Sequence, residues 1–232
     1  MRARLAIAVV SAAIVLIGAE GAGTWPASPA AAPAGAAAAK PRLHKKLIPY
    51  GKQRKRDMAA YSKRHYGHYK WRLGAPKLVV VHYAEAGSIG SIYNTFAPNH
   101  ADPEFREKPN VCSHFAISAR GGVYKFVPVS VRCRHVVGLN HVSIGIEHVG
   151  FSDGDVLNRQ AQLDASLKLT QWLRCRFGLP IEQVIGHNES LGPLADPFYK
   201  ELDPRFKGQT HGDFNKASMD AYRGQLQKLG PC

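Results

Sequence analysis

The sequence has few acidic residues, few cysteines and no second long apolar run. Its 232 residues contain 17 Asp and Glu against 31 Lys and Arg, which gives a formal net charge of +14. Only four cysteines occur and none forms a CxxC pair, so a cysteine-based zinc site is not expected. After residue 19, no apolar run is long enough to cross a membrane. No internal repeat is present.

The N-terminus is typical of a signal peptide. Arg2 and Arg4 precede the apolar run LAIAVVSAAIVLIGA at residues 5–19. A membrane span needs roughly 20 residues, so an uncleaved anchor is the less favoured alternative. The Ala/Pro-rich stretch that follows could not bury a core and indicates a disordered linker or a cleaved leader. We therefore assign residues 1–39 to a signal peptide and leader, and expect a secreted or cell-wall protein.

The cysteine count predicts disulfide bonds. Cys112, Cys133, Cys175 and Cys232 all follow the leader, and an even number in an exported protein favours two disulfides, with three connectivities. We favour Cys112–Cys133, which brackets a predicted hairpin, and Cys175–Cys232, which joins the C-terminus to a predicted helix. Free buried thiols are the alternative.

The positive charge is concentrated in one segment. Residues 40–72 contain twelve Lys or Arg and one acid, Asp57, whereas residues 73–232 are nearly neutral. Five aromatic residues are interleaved with these charges. This composition suits anionic cell-wall polymers or anionic lipid surfaces, although a solvated arm whose aromatics pack on the domain is an equal alternative. No nucleic-acid partner is expected, because no recognised nucleic-acid motif accompanies the charge.

The hydrophobic pattern alternates between strands and helices. It predicts a loop over 193–209, strands at 77–82, 112–117, 123–127, 143–149 and 181–185, and helices at 87–96, 159–177 and after a cap at Asp213. This interleaving predicts an α/β domain with a mixed sheet, over residues 73–232.

Three histidines end three separate segments, which is how a fold builds an open zinc site. His82 follows LVVV, His187 lies in VIGHNES and His211 lies in QTHGDF. Neutral imidazoles would supply the metal ligands and leave a fourth position for water. Glu147, in the apolar stretch SIGIEHVG, is then the natural proton acceptor for that water. The pattern favours a zinc hydrolase.

Four motifs in order resemble one family. VVVHY, CSHFAISARGGVYKFVP, RHVVGLNHVSIGIEHVG and VIGHNES are similar to the successive motifs of zinc-dependent N-acetylmuramoyl-L-alanine amidases, the amidase-2 family, which is related to the peptidoglycan recognition proteins. The resemblance covers residues 77–213. It implies a central mixed β-sheet flanked by helices, a cleft that holds one zinc ion per chain, and hydrolysis of the amide between N-acetylmuramic acid and L-alanine in peptidoglycan. A monomer is expected.

The resemblance also implies roles for individual residues. His82 and His187 match the first two zinc ligands, and Glu147 matches the acidic catalytic residue. For the third ligand we choose His211, with Asp213 or Asp196 as alternatives. An ion pair with Arg132 or Arg134 is the structural alternative for Glu147.

The sequence departs from the family at one position. Many relatives carry a lysine two residues before the third ligand, where this chain has Gln209. The oxyanion or substrate contact then falls to Gln209, Lys207, His135 or Tyr83. Three other functions stay open: a non-catalytic peptidoglycan-binding receptor module, a zinc peptidase that acts on the stem peptide, and an exported polyanion-binding protein whose globular domain is inert.

Overall fold

The computed structural model describes residues 38–232, so residues 1–37 of the predicted signal peptide and leader lie outside it. The strands are β1 (His44–Lys45), β2 (Leu78–Tyr83), β3 (Phe115–Ile117), β4 (Val123–Lys125), β5 (Ser143–His148) and β6 (Val184–Gly186). The α-helices are α1 (Lys52–Tyr66), α2 (Ile89–Phe96), α3 (Asp153–Leu157), α4 (Gln160–Phe177) and α5 (Lys216–Gln227). Short 3₁₀ turns occupy Ile181–Gln183, His187–Leu191 and Asp196–Phe198.

The six strands form one mixed sheet, which confirms the predicted α/β class. Their order is β1-β4-β3-β5-β2-β6. Only the β3–β4 pair is antiparallel, and every other neighbouring pair is parallel. The antiparallel pair is the predicted hairpin, and it turns through Gly121, whose φ of 78° is readily adopted only without a side chain.

The central strand β2 is buried on both faces, as its unbroken β-branched run predicts. Val79 and Val81 belong to a core that includes Leu163 of α4 and residues of α5. Leu78 and Val80, on the opposite face, pack in a second cluster beneath the segment 136–139. Because side chains alternate along a strand, His82 lies on this second face, away from α4.

Residues 40–72, predicted as a basic arm, contribute two elements of the fold. β1 pairs with the edge strand β4, and α1 packs through a buried face. Met58, Tyr61 and Tyr66 on that face are at most 1% exposed. These residues recur at helical spacing, but the many charged residues between them make the apolar pattern of the helix hard to recognise in the sequence.

Both favoured disulfides are present and confirm the predicted pairing. Cys112–Cys133 closes a loop of 21 residues beside the hairpin, and Cys175–Cys232 joins α4 to the last residue across 57 residues. Such bonds fit an exported protein. Within residues 38–232, no helix combines the length and the apolar character that a membrane span needs.

Candidate metal centre

Three parallel strands end at one edge of the sheet and bring the predicted site residues together. β2 and β5 run in register, so His82 lies directly beside Glu147. On the other side of β2, β6 ends at Gly186, and His187 follows immediately. Ligands of parallel sheets commonly bind outside the carboxyl ends of the strands, which is where these side chains meet.

Two imidazoles and one carboxylate converge at this edge. The Nδ1 atoms of His82 and His187 are 3.1 Å apart. Asp213 places Oδ2 3.0 Å from Nδ1 of His82 and Oδ1 3.1 Å from Nδ1 of His187. All three residues are buried. Two imidazole nitrogens that face each other beside a carboxylate form a donor set suited to zinc, with a position left open.

The chain around Asp213 is held against His187 by close backbone packing. A Cβ atom on Gly186 would lie 2.0 Å from the carbonyl oxygen of Phe214, so only glycine allows this approach. The amide of Asn188 donates to the carbonyl of Asp213 at 2.9 Å. Asp153 accepts from the amide of Phe214 at 2.7 Å and thereby fixes the next residue as well. The last helix is capped by Asn215 rather than by the predicted Asp213.

His211, the predicted third ligand, lies outside this group. Its ring stacks on that of His187 with centroids 4.7 Å apart, and its Nε2 faces a carboxylate oxygen of Glu104 at 3.2 Å. The His211 side chain is 47% exposed. Asp196, the other alternative, is exposed at a 3₁₀ turn. The geometry therefore supports Asp213 in place of His211, because only Asp213 faces both buried imidazoles.

The electrostatics of the three side chains reflect this convergence. Burial raises the pKa of the Asp213 carboxyl, but hydrogen bonds from His187 and His82 hold that pKa well below its usual range. Burial lowers the pKa of His187 to about 4. Burial also acts to lower the pKa of His82, but the carboxylates of Glu147 and Asp213 raise it overall. The ionised Asp213 and the neutral His187 are in the protonation state that metal binding requires, whereas the raised pKa of His82 means that a metal would displace a proton from this ring.

His135 contacts the other side of His82 and fixes its ring. The Nε2 atom of His82 is 3.1 Å from Nδ1 of His135, whose own Nε2 is 3.2 Å from the Ser143 hydroxyl. Ser143 in turn donates to the carbonyl of Leu139 at 2.8 Å. Burial, followed by the charge of His82, lowers the pKa of His135 well below its ordinary value. This chain of donors places a proton on Nε2 of His82, so Nδ1, which faces Asp213 and His187, is the atom that would bind a metal once its own proton is displaced.

Glu147 is a buried carboxylate beside the three residues. It is 7% exposed, and its Oε2 has no hydrogen-bond partner among residues 38–232. Burial raises its pKa to about 7, although His82 opposes this shift. The alternative ion pair is not formed, since Arg134 donates to Asp102 at 2.7 Å and Arg132 to the carbonyl of Lys70. Glu147 is therefore poised to exchange a proton near neutral pH.

A cleft with a volume of about 350 Å³ opens above these residues. Ile92, Phe96 and Val111 form an apolar wall. The predicted contact residues Tyr83 and His135 line the cleft, as do Glu104 and His211. Lys207 and Gln209 do not line it: Lys207 is exposed, and Gln209 donates to the carbonyl of Arg205 at 2.7 Å.

Comparison with known proteins gives one family match. The family model described as "N-acetylmuramoyl-L-alanine amidase" matches residues 72–204, which include His82, Glu147 and His187 but end before Asp213. No curated protein matches the chain.

Solved structures with a similar arrangement share little sequence with this chain. An N-acetylmuramoyl-L-alanine amidase endolysin, LysCS, from Clostridium intestinale is 13% identical, with 82% of this chain and 98% of that chain covered and a TM-score of 0.49. A mutant endolysin from Bacillus subtilis is 17% identical, with 80% and 98% covered and a TM-score of 0.49. Drosophila PGRP-LB is 16% identical, with 64% and 83% covered and a TM-score of 0.45.

Proposed function

The chain belongs to the N-acetylmuramoyl-L-alanine amidase family, and from this premise we propose that it is an exported, zinc-dependent amidase. Its substrate is peptidoglycan, and it hydrolyses the amide between N-acetylmuramic acid and L-alanine. The observation that carries the proposal is the convergence of His82, His187 and Asp213 beside Glu147, at the base of an open cleft. The Oε2 atom of Glu147 has no hydrogen-bond partner among the described residues.

His82, His187 and Asp213 are the proposed zinc ligands. A bound zinc ion would supply Lewis-acid polarisation of the scissile carbonyl and of the attacking water. His135 and Ser143 hold the ring of His82 by hydrogen bonds, so that its Nδ1 keeps its lone pair and its direction. His211 covers one face of the His187 ring.

Glu147 is the proposed general base and acid. Its free Oε2 accepts a proton from the attacking water and later delivers it to the leaving nitrogen of L-alanine. A carboxyl whose pKa is about 7 is suited to both steps near neutral pH. Tyr83 lines the same cleft, and its hydroxyl is the proposed donor to the developing oxyanion.

The surface formed by residues 40–72 is the proposed attachment site for anionic wall polymers. Nine of its basic residues are exposed: Lys40, Arg42, Lys45, Lys52, Arg56, Lys63, Arg64, Lys70 and Arg72. The aromatic residues that accompany them in sequence are largely used in packing, so the charge supplies the binding. Attachment of this kind weakens with salt.

Digestion of purified peptidoglycan tests the amidase proposal. We expect the zinc-loaded protein to release stem peptides that begin at L-alanine, as identified by mass spectrometry. Glu147→Gln should lower the rate by about 10²–10⁴-fold, because it keeps the shape of the side chain but removes the proton acceptor. The matched control is Glu182→Gln, which changes a carboxylate in the 3₁₀ turn before β6.

Two results would contradict the proposal. Peptidoglycan that stays intact while the protein binds it would indicate a receptor. Cleavage within the stem peptide, with the lactyl amide preserved, would indicate a peptidase.

A further inference from the structure

A second group of potential metal ligands lies apart from the cleft residues. One ring nitrogen of His65 and one carboxylate oxygen each of Glu107 and Asp203 all lie within 4.8 Å of one another. His65 is in the last turn of α1, Glu107 lies in the loop after α2, and Asp203 lies in the loop that leads towards the cleft. None of the three is a proposed ligand or proton carrier of the cleft.

His65 has the environment of an oriented metal ligand. It is fully buried, and both carboxylate oxygens of Glu201 lie 2.9 Å from its Nδ1. Tyr61 stacks on the ring at 3.8 Å, and Phe206 meets it edge-on at 4.9 Å, so the ring cannot turn freely. With a carboxylate holding Nδ1–H, the lone pair falls on Nε2, as in ligands held by an outer carboxylate.

The second ring nitrogen of His65, Nε2, is buried and makes no hydrogen bond to any of residues 38–232. A buried polar atom without a partner is unfavourable, and a bound cation would satisfy it. The ring thus presents one occupied and one free nitrogen, in a group that already contains two carboxylates.

The charge balance favours a cation. Glu107, Asp203 and Glu201 bring three negative charges. Arg64 pairs with Glu107, and Arg205 pairs with Glu107 and Asp203, so the arginines bring two positive charges. The arginine side chains are 42% and 69% exposed, whereas those of Glu107 and Asp203 are only 10% and 13% exposed. The arginines therefore sit at the solvent side, where they can move aside, while the carboxylates point inward.

We propose that His65, Glu107 and Asp203 form a second zinc site, with Glu201 holding the histidine. One imidazole and two carboxylates are ordinary zinc ligands. The site joins α1 to two loops that are distant in sequence, next to the backbone bond in which Leu202 donates to the carbonyl of His65 at 3.0 Å. Its role is structural: it fixes the segment that continues towards His211 and Asp213.

Zinc stoichiometry and zinc-dependent thermal stability test this site without any activity measurement. The mature protein, saturated with Zn²⁺ and dialysed, should hold two zinc ions per chain by elemental analysis. Asp203→Asn should hold one, and so should Asp213→Asn, which alters only the cleft. The double variant should hold none and should show no rise in melting temperature with Zn²⁺.

Asp164→Asn is the matched control and should retain two ions, because Asp164 belongs to neither group and pairs with Gln160 on α4. Circular dichroism checks that each variant is folded, and Glu107→Gln replaces Asp203→Asn if that variant does not fold. The proposal is overturned if the unaltered protein holds a single zinc ion that Asp203→Asn retains, if Asp203→Asn still holds two, or if Asp213→Asn holds none. Loss of zinc from the cleft alone would count against the proposed function and leave this second site standing.

Discussion

Replacement of Asp213 by Asn should abolish most of the zinc affinity of the cleft. Loss of a hydrogen-bonded partner of a ligand typically costs 10–100-fold in metal affinity, so loss of a ligand itself should cost more than about 100-fold. At a zinc concentration about 100 times the dissociation constant, binding stabilises the fold by about 2.7 kcal/mol. For a domain of this size that corresponds to a rise of about 5–11 °C in melting temperature.

The contrast with His211→Ala makes this prediction decisive. Both variants are compared in an Asp203→Asn background, so that only the cleft responds to Zn²⁺, and melting is followed with and without the metal. Asp213→Asn should keep less than about 2 °C of the shift, because its binding term falls to roughly RT ln 2. His211→Ala should keep most of it, since its ring only stacks on His187. The opposite pattern would make His211 the ligand and reduce Asp213 to an ion-pair partner.

Two further outcomes follow from the residues that surround the site. Gly145→Ala should lower the free energy of unfolding by about 1–3 kcal/mol and weaken zinc binding, because the new Cβ would lie 2.8 Å from the His135 ring. Gly224 has open space on α5, so Gly224→Ala should instead raise the free energy of unfolding, measured by urea denaturation, by up to about 1 kcal/mol. Burial lowers the pKa of His114 to about 4, so the unfolded chain binds its proton first as the pH falls from 6.5. About 3 kcal/mol of the free energy of unfolding should then be lost as the pH falls towards 4, and His114→Gln should make that free energy less dependent on pH. If the free energy of unfolding falls equally steeply with pH in both proteins, His114 is not the group responsible.

Much of the fold was predictable because its signals are local. The run of valines in β2 predicts a strand buried on both faces, and the leucines of α4 at helical spacing predict a helix with one buried face. The helix α1 was not predicted, because its buried face is made of Arg54, Tyr61 and Tyr66 as well as Met58. Arg54 is buried by donating to the carbonyls of Phe96 and Asn110, partners that the sequence does not place nearby.

In the candidate site too, the residues on predicted strands could be found from the sequence, and the residue on an irregular loop could not. His82, Glu147 and His187 lie at or next to strand ends that the sequence predicts, and the parallel pairing of those strands brings them to one edge. The choice between His211 and Asp213 depends on how an irregular loop approaches His187, and no periodicity encodes that. Gly186 was the one sequence signal of this approach, because a glycine at a strand end can mark a close backbone neighbour, here the carbonyl of Phe214.

The Cys175–Cys232 disulfide has a consequence for survival outside the cell. It encloses all of residues 176–231, and therefore both His187 and Asp213 as well as the long, largely irregular stretch between them. A protease that cuts once within this stretch leaves both fragments covalently joined, with the sheet strand β6 on one side of the cut and α5 on the other. A single nick there cannot separate the residues that we assign to the metal.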